Sequence, residues 1–202
     1  IEEIVNYCLE KNKFKEAVEF SELWVEIAPY SSDAWQSLGI SFNNTERYTE
    51  ALNILEKALT LNPNDSDTLV NKAIALDNTG SPKEALLTIN LALSYEPANE
   101  EALFSKGIIL ESNEKYIAAI EIFKYLLFFE HLRKDCYVEL GICYQNIRQY
   151  DKAIKLYDKA IDEDPYDYTI WHNKGITYHQ NHKYIKAIES FDMSLTIKED
   201  FH

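Results

Sequence analysis

The stretch KDCYVELGICYQNIRQYDKAIKLYDKAIDEDPYD, residues 134–167, decides the fold. Its apolar and small residues make two stripes, Tyr137, Leu140, Gly141 and Tyr144, then Tyr150, Ala153, Tyr157 and Ala160. Both follow the i, i+3/i+4, i+7 spacing of a helix that buries one face. Pro165 stops the second helix, because Pro lacks the N–H a helix interior needs and its ring clashes with the preceding turn. The pattern returns every 34 residues in both directions. Ala17, Ala51, Ala85, Ala119, Ala153 and Ala187 fall in one register with no insertion. Pro29, Pro63, Pro97 and Pro165 fall in a second, where His131 takes the remaining place. Gly39, Gly107, Gly141 and Gly175 fall in a third, with Ala73 in the other row, and Phe14, Tyr48, Tyr116, Tyr150 and Tyr184 in a fourth, with Pro82. Four registers on one period are the signature of a repeat architecture.

The 202 residues hold six units, the first short of its start: approximately 1–31, 32–65, 66–99, 100–133, 134–167 and 168–202. Each reads as helix, short turn, helix. In the third unit the helices are expected at Asp67–Asn78 and Pro82–Tyr95, with inner stripes Leu69, Ala73, Leu76 and Ala85, Ile89, Ala92. Ser81-Pro82-x-Glu84 reads as an N-cap, a first-turn Pro and a capping-box acid. Four glycines sit mid-helix, where Gly costs about 1 kcal/mol against Ala. They recur where a neighbouring helix must approach closely, whereas Gly80 lies in a turn. No segment alternates with period two at convincing length. The fold class is all-α, an α-solenoid of antiparallel helix pairs forming a single array over 1–202.

The row Trp35…Leu38-Gly39…Phe42…Tyr48…Ala51…Leu55…Ala58…Pro63 resembles a tetratricopeptide repeat, and so does Tyr137…Leu140-Gly141…Tyr144…Tyr150…Ala153…Tyr157…Ala160…Pro165. The resemblance covers essentially the whole chain. Trp24 and Leu126 stand where the family has its second small Ala, and the fourth unit lacks the Pro. The resemblance implies a right-handed superhelix and a non-enzymatic protein-interaction scaffold, whose first helices line a concave groove for a peptide or partner segment.

Helix geometry gives the residues of that groove. Val70, Ile74, Phe104, Ile108, Val138 and Ile142 form an apolar floor, flanked by acids such as Asp67, Asp77, Glu101, Glu111 and Asp135. Beside it run Ser37, Asn71, Ser105, Glu139 and Asn173, and then Asn44, Asn78, Ser112, Asn146 and Gln180. Read as a site, the floor takes apolar side chains and the amides and hydroxyls pair with a ligand backbone. Read as structure, the floor packs one repeat on the next and the amides are solvated surface. Some family members grip C-terminal carboxylates with a Lys/Asn clamp. Here those places hold Glu2, Asn6, Asp33, Ser37, Asp67 and Asn71, so an acidic tail would be repelled. Tyr125 and Phe128, at i and i+3, share one outward face of the apolar run Tyr125–Phe129. They are either an outer contact or are covered by the irregular junction at His131.

Composition narrows the function. Lys+Arg number 20 and Asp+Glu 34, a net charge of −14, which opposes nucleic acid or anionic lipid as main partner and favours a neutral to basic protein segment. No cofactor, metal or catalytic signature is expected: there is no H-E-x-x-H, G-x-S-x-G, Walker loop or dinucleotide fingerprint. His172 and His179 are seven residues apart, about 10.5 Å along a helix, too far to share one ion. Cys8, Cys136 and Cys143 carry no disulfide framework and are expected to be small buried residues of a reducing compartment, hence a cytoplasmic setting, with the periplasm compatible. No run of 18 apolar residues encodes a membrane span. Asn43 and Asn64 begin formal glycosylation sequons. The last helix, expected over Tyr184–Ile197, runs into Lys198–His202, which reads as the start of a further repeat in a longer protein. The alternatives to a free-standing scaffold are a substrate-selecting or regulatory region of a larger enzyme, and self-association through the outer face or the open ends.

Overall fold

Each 34-residue unit pairs two helices because its two apolar stripes have only each other and their neighbours to be buried against. The computed structural model describes residues 1–200. Its helices are α1 (Glu2–Glu10), α2 (Phe14–Ile27), α3 (Ser32–Asn44), α4 (Tyr48–Leu61), α5 (Ser66–Asn78), α6 (Pro82–Tyr95), α7 (Glu100–Ser112), α8 (Tyr116–Leu126), α9 (Arg133–Asn146), α10 (Tyr150–Glu163), α11 (Tyr168–Gln180) and α12 (Tyr184–Asp200). A 3-10 turn, Glu130–Leu132, lies between α8 and α9. There is no strand among the described residues. The fold is an all-α helical repeat.

The small and large registers interlock within each pair. A Cβ added at Gly141 would stand 2.5 Å from Tyr157 Cε1, and one at Gly175 would stand 2.6 Å from Phe191 Cε1. At Gly39 it would meet Leu55. The close approach read from the sequence is therefore a ring, or a Leu side chain, laid on bare backbone. In the third repeat Ala73 takes the glycine's place and is matched with Ile89, and both are fully buried.

Helix ends repeat as faithfully. Ser31 accepts a bond from the Ala34 N–H, Asp65 from Thr68 and Asn99 from Ala102. Each satisfies an orphan donor of the first turn. Asp167 does the same for the Thr169 N–H. Trp35 Nε1 donates to the Pro29 carbonyl at 2.8 Å, and Trp171 Nε1 to the Pro165 carbonyl at 3.0 Å. At Ser81 the expected capping bond is not made, and α6 starts on Pro82 alone. The turn inside every unit carries one residue with positive φ: Asn12, Glu46, Gly80, Glu114, Arg148 and His182. This left-handed residue closes the first helix, and only at Gly80 is it free of steric cost.

The chain forms two compact units, Ile1–Ile109 and Leu110 onward. In the first, Val18, Leu38, Phe42, Ala51, Leu55 and Ala75 make one buried cluster, and Leu69, Val70, Ala73, Leu76, Ala85 and Ile89 belong to another. In the second, Ala153, Tyr157, Ala160 and Ile170 are fully buried together. All three cysteines are buried and unpaired. The junction after α8 is irregular, as the missing Pro implied. α8 stops at Leu126, and α9 begins with no side-chain cap because Arg133 stands in the capping register of Ser31, Asp65, Asn99 and Asp167. α12 departs from expectation in the other direction. It continues through Lys198 and Glu199 to Asp200, while Phe201 and His202 lie outside the described residues.

Candidate partner-binding face

The first helix of each unit presents one face on which the expected floor can be checked. In the first unit Ile74, Phe104 and Ile108 are half-buried, leaving part of each side chain to solvent. Val70 is a correction: it is fully buried among Leu69, Ala73 and Ile89, so it serves packing and no ligand can reach it. Ser37 and Ser105 are also buried, with little of either hydroxyl to offer. In the second unit Val138, Ile142, Glu139 and Asn173 are half-buried.

The amides are more orderly than their composition suggested. Asn44, Asn78 and Asn146 are exposed, Asn71 is half-buried, and all four do the same thing. The Nδ2 of each donates to the carbonyl four residues earlier, at Ile40, Ile74, Ile142 and Asp67 respectively. Each bond uses one of the two Nδ2 hydrogens, so every amide in the row keeps an oxygen acceptor and one N–H donor. Asn43 is different. Its Nδ2 donates to the Asn71 carbonyl at 2.9 Å, tying α3 to α5, and this places the first sequon inside a helix contact.

A polar cluster in the second unit was only partly legible. Glu139 of α9 is hydrogen-bonded to Glu111 of α7. One Glu111 oxygen is buried without a hydrogen-bond partner. Two carboxyls in contact cannot both ionise, so the pair holds a proton. Burial first, and then the Glu111 charge, push Glu139 up to about 8. Burial likewise raises Glu111, offset in part by its bonds to Glu139 and Cys143. Burial pushes the Cys136 thiol to about 12, which makes it inert as a nucleophile at neutral pH. Alongside, Tyr157 OH reaches Gln145 Oε1 at 3.5 Å, and Thr177 Oγ1 donates to the same oxygen at 2.6 Å. The missed signal was a spacing. Asn43 meets Asn71 at a separation of 28 residues, and Glu111 and Glu139 stand in the same two registers two repeats further along.

The outer aromatic pair is not covered by the junction. Phe128 is 84% exposed and Tyr125 49%, although Tyr125 meets the edge of Phe129 at 5.8 Å. Among the described residues, no helix is long and apolar enough to cross a membrane.

Sequence models of the tetratricopeptide repeat match residues 45–105, 135–167 and 156–189. Solved structures share the fold. MamA (residues 41 to the end) from Desulfovibrio magneticus RS-1 superposes with a TM-score of 0.71 at 22% identity, over 84% of this chain and 96% of that one. A tetratricopeptide repeat protein from Parabacteroides merdae gives 0.76 at 20% identity, over 96% of this chain and 77% of that one. YrrB, described as a TPR protein with an unusual peptide-binding site, gives 0.63 at 20% identity, over 91% and 95%. No curated protein sequence matches the chain significantly. The helix pairs, the 34-residue register and these family matches together place the chain in the tetratricopeptide repeat family.

Proposed function

We propose that this chain is a non-enzymatic scaffold that binds an extended, neutral to basic segment of a partner protein along the face of its first helices. The observation that carries the reading is the pairing of half-buried Ile74, Phe104 and Ile108 with the side-chain amides of Asn71 and Asn78. The apolar residues take side chains. The oxygens accept from ligand N–H groups, whether backbone amide or Lys and Arg. The net charge of −14 favours a neutral to basic segment. In the second unit Val138, Ile142, Asn146 and Asn173 offer the same combination. There a basic ligand side chain beside Glu139 would stabilise its ionised form. Ser37, Asn44 and Ser105 border the first-unit residues and are assigned no more than a share of the rim. The peptide-binding site described for YrrB supports the reading by likeness of fold.

The test is a paired pull-down from the source lysate. One bait is the wild type. The other carries Asn71→Ala, Phe104→Ala and Ile108→Ser and is checked first for unchanged helicity. A segment captured by the wild type is then synthesised and titrated against both. At least a tenfold loss of affinity in the triple variant is expected. Equal capture and equal affinity would move the site to Tyr125 and Phe128 or elsewhere.

A further inference from the structure

Two registers 28 residues apart, both on first helices, hold Asn43 and Asn71, Asp77 and Ser105, Glu111 and Glu139, and Gln145 and Asn173. Asn43 and Asn71 are joined through the Asn71 carbonyl, Glu111 and Glu139 carboxyl to carboxyl. Of these four pairs only Glu111 and Glu139 set two acids against each other. A hydrogen bond between two carboxyls needs a proton between them. One Glu111 oxygen is buried with no hydrogen-bond partner, so a second negative charge there would find no donor. The surroundings do not supply one. The charges that act most on Glu139, Glu111 and then Asp135, are both negative. Cys143 of α9 bonds to Glu111, and Tyr116 of α8 and Tyr157 of α10 stand near enough to feel it, but burial keeps these groups neutral. Lys134 of α9 is engaged by Asp164 and Asp167, and Lys174 of α11 by Asp158. Glu139 is half-buried, as are Val138 and Ile142 on the same helix, so its open side belongs to the face assigned above to a partner segment.

We propose that the Glu111–Glu139 pair makes partner binding proton-linked: an Arg or Lys side chain of the bound segment takes the place of the shared proton. The inference rests on the reading of this face as a partner site and adds how that site is regulated. On binding, the O–H bond of the protonated carboxyl breaks and its proton leaves to water. N–H groups of the arriving cation then donate to the freed carboxylate. One proton out for one cation in leaves the net charge at the pair unchanged, so no further charge is buried. An uncharged side chain at the same place displaces nothing. Because the free chain holds its proton up to about pH 8, affinity for a basic segment rises with pH below that point and levels off above it. For a single proton the rise is up to about tenfold per pH unit.

The probe is the peptide acetyl-Val-Ser-Arg-Ser-Val-amide, whose Val and Arg side chains share one side of an extended chain. Its citrulline counterpart is the neutral control. Both are titrated into the full chain by calorimetry at pH 6, 7 and 8.5, in two buffers of different ionisation heat so that released protons are counted. The Arg peptide should bind at least tenfold more tightly at pH 8.5 than at pH 6 and release up to one proton, while the citrulline peptide binds alike at both. Glu139→Gln should hold the Arg peptide at its weak, low-pH level throughout. Glu111→Gln frees Glu139 from its neighbour and should bind the Arg peptide more tightly than the wild type at pH 6. In the free chain the carbon-13 carboxyl signal of Glu139 should titrate near 8. Binding of both peptides with no pH dependence would overturn the proton linkage and leave the face standing. So would a slope that persists in Glu139→Gln, since His179 or another group would then be titrating. A Glu139 signal that titrates near 4.5 would also overturn it. Failure of both peptides to bind at any pH would overturn the reading of the second-unit face and the linkage with it.

Discussion

The two compact units solve one packing problem with different chemistry. In the first, the registers that meet inside a helix pair are filled by Gly39 with Leu55 and by Ala73 with Ile89. In the second, Gly141 and Gly175 take the rings of Tyr157 and Phe191. The Tyr157 hydroxyl then brings Gln145 and Thr177 into the interior, close to the Glu111–Glu139 pair. A wider ring demands barer backbone, and a buried hydroxyl demands partners. The second unit therefore has a carboxyl pair and a phenol inside it, whereas the first buries hydroxyls such as Ser21 and Ser41, which bond to each other.

The largest expected effect breaks the ring-on-glycine contact. Gly141→Leu should destabilise the protein by about 1–3 kcal/mol or more, because Tyr157 is fully buried and cannot swing away. Gly141→Ala should cost more than Gly39→Ala, since a Leu branch yields more easily than a ring. Tyr157→Leu combined with Gly141→Ala should recover a large part of the loss, and chemical denaturation of the four variants would measure the coupling. Additive losses would show that the two registers are independent, contrary to the geometry.

Next comes pH. Glu139 is held at about 8 in the folded chain against an ordinary 4.5. Between those values the folded state keeps a proton that the unfolded chain releases. Its contribution is thus fully present below pH 4.5 and is lost as pH rises through about 8. Glu139→Gln should flatten this slope and raise stability at pH 9 by on the order of 1–3 kcal/mol. Thermal midpoints from pH 5 to pH 9 would show it. An unchanged slope would mean the carboxyl pair is solvated.

The smallest effect lies in the first unit. Gly80 has φ of +81° and open space around it, so Gly80→Ala meets only backbone strain and should cost about 1 kcal/mol. In the second unit Arg148 already sits at φ of +61°, and Arg148→Gly should be close to neutral or slightly stabilising. A loss of stability in Gly80→Ala and none in Arg148→Gly, read by thermal unfolding, would show that backbone conformation sets the turn; a clear loss in Arg148→Gly would show that the Arg148 side chain matters.

The repeat, the helix pairs and their ends were legible in the sequence because each rests on local chemistry: a stripe of period 3.6, a Pro that stops a helix, a Ser or Asp that caps one. The limits of the last helix were less so, since Lys198 and Glu199 favour a helix as readily as a turn. The candidate face was legible only in outline. Ile74, Phe104 and Ile108 are half-buried, while Val70, in the register of Phe104 and one turn before Ile74, is sealed in the core. Periodicity says which stripe a residue belongs to. It does not say how closely the next helix lies over that stripe.

The sequence by itself determined a 34-residue repeat of helix pairs, because stripes of period 3.6 recurring in one register can be buried only against each other, and its residues carried the resemblance to the tetratricopeptide family. Only the tertiary structure decided which residues are shared between repeats. It joined Glu111 to Glu139, tied Asn43 to the Asn71 carbonyl across two helices, and sealed Val70 in the core. The reason is physical: hydrogen bonds, proton sharing and burial between helices depend on distances across the fold, and no single helix encodes those distances.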